Sequence, residues 1–286
     1  MKAETSQGEA PPTQEWARLS GRHLAALQHS PWQDTGPLLI NERLDASVLA
    51  ASVLLVNARR VLANLWVGGG APVLADGRFA ASAEATLIDH LWWGPTGVRE
   101  PAPGVDPNSA FEPRPLTYLR LALLSIGAIT IQGGRATVSP MGAELVHSQH
   151  GGRLYGKLLR TYFRDLDHPA IDGEAPTPAA LSFVPCSLWI VGQLPPTWTD
   201  TSTVIRLLVP DKVLRRDERG YRTSAAKMLS PPSTADLFRA RVLDPLLDFA
   251  LLERQLIDDP PRPGPRGWRR GPVYDRVISF DFTDAE

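Results

Sequence analysis

Four cations recur at helical spacing: Arg153, Lys157, Arg160 and Arg164, at intervals of 4, 3 and 4. Those intervals set them on one side of a helix, opposite Leu154, Tyr155, Leu158, Leu159, Tyr162 and Phe163. No acid follows Arg153 before Asp165. A row of this kind can track a phosphate backbone, because each neutralised phosphate adds to a salt-dependent affinity. The plainer reading is the solvated side of an amphipathic helix. A second basic group lies in DDPPRPGPRGWRRGP, residues 258–272, where Arg262, Arg266, Arg269 and Arg270 surround Trp268 and Pro260 to Pro272 contains no acid. Guanidinium forks suit phosphate and an indole can stack on a base. The competing reading is a Pro/Gly surface loop kept in water by its arginines.

Other reactive side chains give weaker patterns. Asp165, Asp167 and His168, with Asp172 and Glu174 nearby, are hard-ligand types at close spacing, but they stand at a helix exit where Asp caps turns. His147 and His150 share a helix face without the intervening Glu of a zinc protease. Cys186 follows Pro185 in an apolar run and reads as a small core residue. Gly68-Gly69-Gly70 follows a helix and lacks the Lys of a phosphate loop, so it is a turn. Trp92-Trp93 reads as a core or interface anchor. No metal, cofactor or nucleophile–base pair is expected, and an enzyme ranks behind a binding protein.

Composition sets the outer bounds. The 286 residues are 43% hydrophobic and 21% charged, with a net charge of −1. These values exclude a disordered chain and a general polycation. One cysteine cannot make an internal disulfide, which fits a reducing cytosol. The opening MKAETSQGEAPPTQE has no apolar core for a signal peptide. The most apolar run, Ala46 to Val56, is short of the roughly 20 residues of a membrane helix. A cytoplasmic protein with no membrane partner is expected. Pro, at 27 residues, must separate the regular elements.

These elements would have to position the cations. Trp16, Leu19, His23 and Leu27 predict one amphipathic helix. A long second helix is predicted from Asp45 as N-cap to Leu65, and a third from Ser82 to Trp92. Residues 71–81 read as an extended piece around Asp76-Gly77, and 94–115 as a Pro-rich connection. Then come a helix from Pro115 to Ile126, a stop at Gly127, strands at 129–131 and 135–138 around Gly133-Gly134, and a helix capped by Ser139. Helix, tight hairpin, helix is the closing half of a winged helix. The cationic helix follows, from Gly152 to Arg164. Helices at 183–194 and from Thr201 are predicted next, then a helix at 237–243 interrupted by Pro245. Strands are predicted at 251–257 and 273–282, with the basic segment between them as a long second wing.

Residues 119–146, LRLALLSIGAITIQGGRATVSPMGAELV, resemble bacterial proteins that accompany, or are fused to, the family named after an open reading frame of the Ri plasmid. LLRTYFRDLDH (158–168), RVLDPLLDFALLERQ (241–255) and VYDRVISFDF (273–282) are similar too. The resemblance spans about residues 60–282 and rests on fold-shaping apolar, Gly and Pro positions. Ala250 stands where the pattern has Gly, and residues 1–60 match nothing in it. It implies a fold and no activity.

The expected fold is mainly α with short β-hairpins: tandem winged-helix-like units plus an N-terminal helical segment. Its parts are a leader (1–13), a helical region (14–93), a first unit (115–164, with helix 82–92 as an optional member), a linker with an apolar helix (165–200), and a second unit (201–282). The expected function is non-catalytic binding. Nucleic-acid backbone is the favoured partner, through Arg153, Lys157, Arg160, Arg164, Arg262, Arg266, Trp268, Arg269 and Arg270; a protein-interaction scaffold is the alternative. The two predicted recognition helices argue for the alternative. The first offers mainly Thr117, Arg120 and Ser125, and the second carries Asp244 and Asp248, which would repel phosphate.

Overall fold

The computed structural model describes residues 19–29, 31–33, 36–92, 114–172, 184–208, 238–255 and 267–283. The chain is mainly helical with a few short antiparallel strands. The helix α1 (Gly21–His29) and the strand β1 (Leu38–Ile40) precede the long helix α2 (Val53–Val67). The N-cap of α2 is Ser52, whose hydroxyl accepts the Leu55 N–H at 3.2 Å, and not the expected Asp45. Asp45 instead takes the Ser47 N–H and the Ser148 hydroxyl, each at 2.8 Å, so it opens a turn seven residues earlier.

The strand β2 (Ala71–Pro72) follows α2, then α3 (Ala81–His90) and α4 (Arg114–Ser125). The hairpin of β3 (Ile129–Gln132) and β4 (Arg135–Val138) forms as expected, and β2 adds to it in the order β2-β4-β3. Both α2 and α4 stop in the same way. At the end of α4, Gly127 (φ 72°) donates to Leu124 O and Ala128 donates to Leu123 O. At the end of α2, Gly69 (φ 62°) donates to Trp66 O and Gly70 to Leu65 O. This paired hydrogen bond satisfies the last carbonyls and turns the chain into a strand.

Ser139 joins that stop to the next helix, α5 (Pro140–Leu145). Its hydroxyl donates to Gly127 O at 2.6 Å and accepts from Gly142 N at 3.0 Å. A Cβ on Gly142 would lie 2.0 Å from Ala128 O, so only glycine lets α5 approach the hairpin. The cationic helix is α6 (Gly151–Arg160), extended by a π-helical turn at Thr161–Asp165 and followed by α7 (His168–Asp172).

The same order of elements recurs later. The helix α8 (Val184–Gln193) leads to Thr199, which bridges Trp268, and then to α9 (Thr201–Leu208). After Phe238 comes a π-helical turn at Arg239–Leu243, then α10 (Asp244–Asp248). Pro245 sits at the start of α10, and the Asp244 N–H reaches back five residues to Arg239 O, so the proline shifts the helix instead of breaking it. Ala250, at φ 57°, donates to Leu247 O, and Leu251 donates to Leu246 O, the arrangement made by Gly127 and Ala128. The strands β5 (Leu252–Arg254) and β6 (Trp268–Arg270) then pair. Arg254 faces Trp268, which faces Thr199, as Ile131 faces Ala136, which faces Ala71. The expected strand at 273–282 is instead a helical turn, α11 (Tyr274–Val277), and a short strand, β7 (Ile278–Phe280).

β7 pairs with β1, so an early segment closes the last one. Asn41 N and Asp281 N extend that ladder by bonds to Val277 O and Pro37 O. One continuous apolar core runs from Leu38 through both repeats to Ile278. We expect Gly127→Ala, which meets no atom but must hold φ 72°, to cost about 1–2 kcal/mol in denaturant unfolding. Gly142→Ala is expected to cost more, because its methyl has nowhere to go.

Candidate nucleic-acid interface

α6 forms one amphipathic helix, with Leu154, Tyr155, Leu158 and Leu159 at zero exposure on its inner side. Two of its cations are met by acids from other elements. Arg153 donates to Glu144 at 2.6 Å, and Arg160 to Glu42. Arg164 forks onto Asp165 at 2.6 and 3.0 Å, and this bond raises its already high pKa. Lys157 stands between these pairs, half-buried. A groove beside the stripe is filled by residues 42–46 of the chain. Gly152 N donates to Leu44 O at 2.7 Å and Ala46 N to Ser148 O at 2.9 Å. Glycines at 151, 152 and 156 permit this approach, since a Cβ on each would lie within 2.8 Å of an atom of Glu42, Leu44 or Ala46.

The second basic group divides. Arg262 and Arg266 lie outside the described residues. Trp268, expected on a loop, is instead in β6 with no exposed surface, because its side chain shares the inner face of the sheet with Thr199 and Arg254. Arg269 points the other way. It forks onto Glu253 at 2.9 and 3.0 Å, and its guanidinium carbon lies 4.3 Å from the ring centroid of Trp198. Arg270 donates to Gly192 O at 2.9 Å and lies 3.3 Å from Asp275. Trp198, with 37% of its surface exposed, is the residue that sequence reasoning missed. No local pattern marks it, and its partner Arg269 lies far along the chain.

The helices that precede the two hairpins have little to show a groove. From Leu116 to Ser125 only Ser125 is exposed, and Arg120 is 5% exposed. Tyr118 is covered by Tyr162 and His168, with ring centroids 5.3 Å away in each case. From Phe238 to Asp248 only Ala240 and Asp248 are exposed.

The remaining candidates take structural places. Among the described residues no three His, Cys, Asp or Glu side chains are grouped to hold a metal. His168 is fully buried and donates Nε2–H to Tyr162 O at 2.7 Å, Asp165 is taken by Arg164, and Asp167 accepts the Ala170 N–H; Glu174 lies outside the described residues. His150 lies 4.0 Å from Glu144. Trp92 is fixed through its backbone, which exchanges two hydrogen bonds with the Asn57 amide, while Trp93 lies outside the described residues. No helix among the described residues is long and apolar enough to cross a membrane.

No family model, curated protein or solved structure matches this chain.

Cys186 is 3% exposed, and burial pushes its thiol up to about 11. At pH 8 only about a thousandth would be thiolate, so iodoacetamide should label the folded protein far more slowly than the urea-unfolded one. Because the unfolded thiol loses its proton first, this group lowers stability as pH rises through about 8.5 toward 11. Equal labelling rates in the two states would contradict the burial.

Proposed function

We propose that this chain is a non-catalytic, nucleic-acid-associated binding protein built from two winged-helix-like units, contacting its ligand from the sheet side of the second unit. Helix, strand, helix, helix, strand, strand, with the first strand beside the third, is the winged-helix order. It is the order of α2 to β4, and of α8 to β6 with Thr199 as the first strand. The resemblance to proteins accompanying the Ri-plasmid reading-frame family belongs to the same proposal.

The mode of contact follows from what is covered. Base readout in a major groove needs a polar helix face. Neither recognition helix has one, so contact falls to backbone and stacking interactions. The observation that carries the reading is the Trp198–Arg269 stack, whose arginine belongs to a stretch of sequence, Pro260 to Pro272, that contains no acid. Lys157 adds a cation on α6, while Arg153, Arg160 and Arg164 serve first as ion-pair partners inside the molecule.

A second reading, a protein-interaction scaffold, is favoured by Trp66 and Val67, which end α2 at 62% and 87% exposure. Large apolar side chains this exposed are common anchors for a partner.

A salt titration separates the two. Fluorescence anisotropy at about 50 mM salt should detect binding to single- or double-stranded DNA, weakening steeply by about 200 mM. Replacing Arg262 and Arg266 by Glu should lower affinity and flatten the salt slope by about one unit for each phosphate no longer neutralised. No binding to either form at low salt overturns the nucleic-acid reading. Trp66→Ser with Val67→Ser should leave DNA affinity unchanged. If it instead removes self-association seen in sedimentation velocity, the scaffold reading gains.

A further inference from the structure

The solvent face of the β5–β6 pair, with the segment that bridges it at Thr199, carries one row of side chains: Trp198, Arg269 and Glu253. The register sets that row, because Thr199 pairs with Trp268 and Glu253 with Arg269, which leaves Trp198 opposite Arg269. Glu253 takes both ends of the Arg269 fork. The carboxylate cancels much of the charge of Arg269, but it also holds the guanidinium plane still over the indole. What the pair presents is therefore a fixed stacked surface more than a loose cation. Gly267 backs the Trp198 Cβ so closely that a Cβ there would sit 2.8 Å away, which further fixes the indole.

We propose that Trp198 and Arg269 form a stacking platform for the bases of single-stranded nucleic acid, a site that rests on the nucleic-acid reading above. Duplex DNA keeps its bases stacked inside, and the buried recognition helices offer no route to their edges. Splayed bases instead stack on indole rings and guanidinium planes with little regard to sequence. On this face the charge of Arg269 is matched by Glu253, while Arg254 and Arg270 lie on the opposite side of the strands, so the row favours an occupant held through rings and planes. The sequence from Pro260 to Arg269 adds no acid. The equivalent row in the first unit, Gly70, Thr137 and Thr130, has neither ring nor cation.

The test uses the full chain and a labelled oligothymidylate of about 15 nucleotides, read by anisotropy at low salt. Trp198→Ala is expected to weaken binding about tenfold to a hundredfold, with Trp198→Phe retaining part of the affinity. Arg269→Lys, which keeps charge and loses the plane, should weaken binding without changing the salt slope. Circular dichroism and melting of Trp198→Phe confirm the fold. Wild-type binding that survives unchanged in both Trp198→Ala and Arg269→Lys overturns the platform and leaves the wider reading standing. Absence of wild-type binding to oligothymidylate and to duplex overturns both.

Discussion

The two units meet through a wedge of aromatic rings supplied by α6 and its π-helical extension. Tyr155 is fully buried and donates its hydroxyl to Phe249 O at 2.8 Å, tying the cationic helix to the second unit. Tyr162 and Phe163 pack on Phe249, with centroids 6.1 and 6.0 Å away, while Tyr162 also covers Tyr118 of α4. Each ring pair contributes about 0.5–1.5 kcal/mol beyond its buried area. The π turn matters here, because one added residue per turn carries Tyr162 and Phe163 round toward both neighbours. Filling this junction covers one face of α4, where Tyr118 meets Tyr162 and His168. The same contact that holds the molecule together thus decides which surfaces remain for a ligand.

The second constraint is repetition. Two helix ends with identical pairs of reverse hydrogen bonds, each feeding a hairpin in the same register, place equivalent residues at equivalent points. Where the first unit uses Gly127 at positive φ, the second uses Ala250, and the bonds to Leu246 O and Leu247 O still form. Strain of about 1–2 kcal/mol is tolerated there because Ala250 is 4% exposed and its neighbours are packed on every side.

Local signals made much of the fold legible. Gly127, Ser139 and the Gly133-Gly134 turn each act within a few residues, so sequence reading placed the first hairpin and its flanking helices correctly. The misplaced features depend on distant partners. Ser52 rather than Asp45 caps α2 because Asp45 is drawn to Ser148, 103 positions away. β2 and Thr199 are too short to show a strand period, and only their pairing with β4 and β6 defines them. The ion pairs behaved alike: helical spacing found the α6 cations, but Glu42 and Glu144 come from other elements and were invisible to it.

That last point changes what a basic stripe means in this chain. An arginine held by a carboxylate at hydrogen-bond distance must give up that bond before it can hold a phosphate, so paired cations contribute less to binding than their number suggests. Arg269 is the exception in kind, because a stacking contact uses the plane and not the charge, and Glu253 strengthens the plane while cancelling the charge. Net neutrality is therefore compatible with the proposed aromatic–guanidinium platform. The outer rows of the two sheets are alike in register and unlike in side chains: Gly70, Thr137 and Thr130 in one, Trp198, Arg269 and Glu253 in the other, so the ring and the guanidinium occur on one row alone.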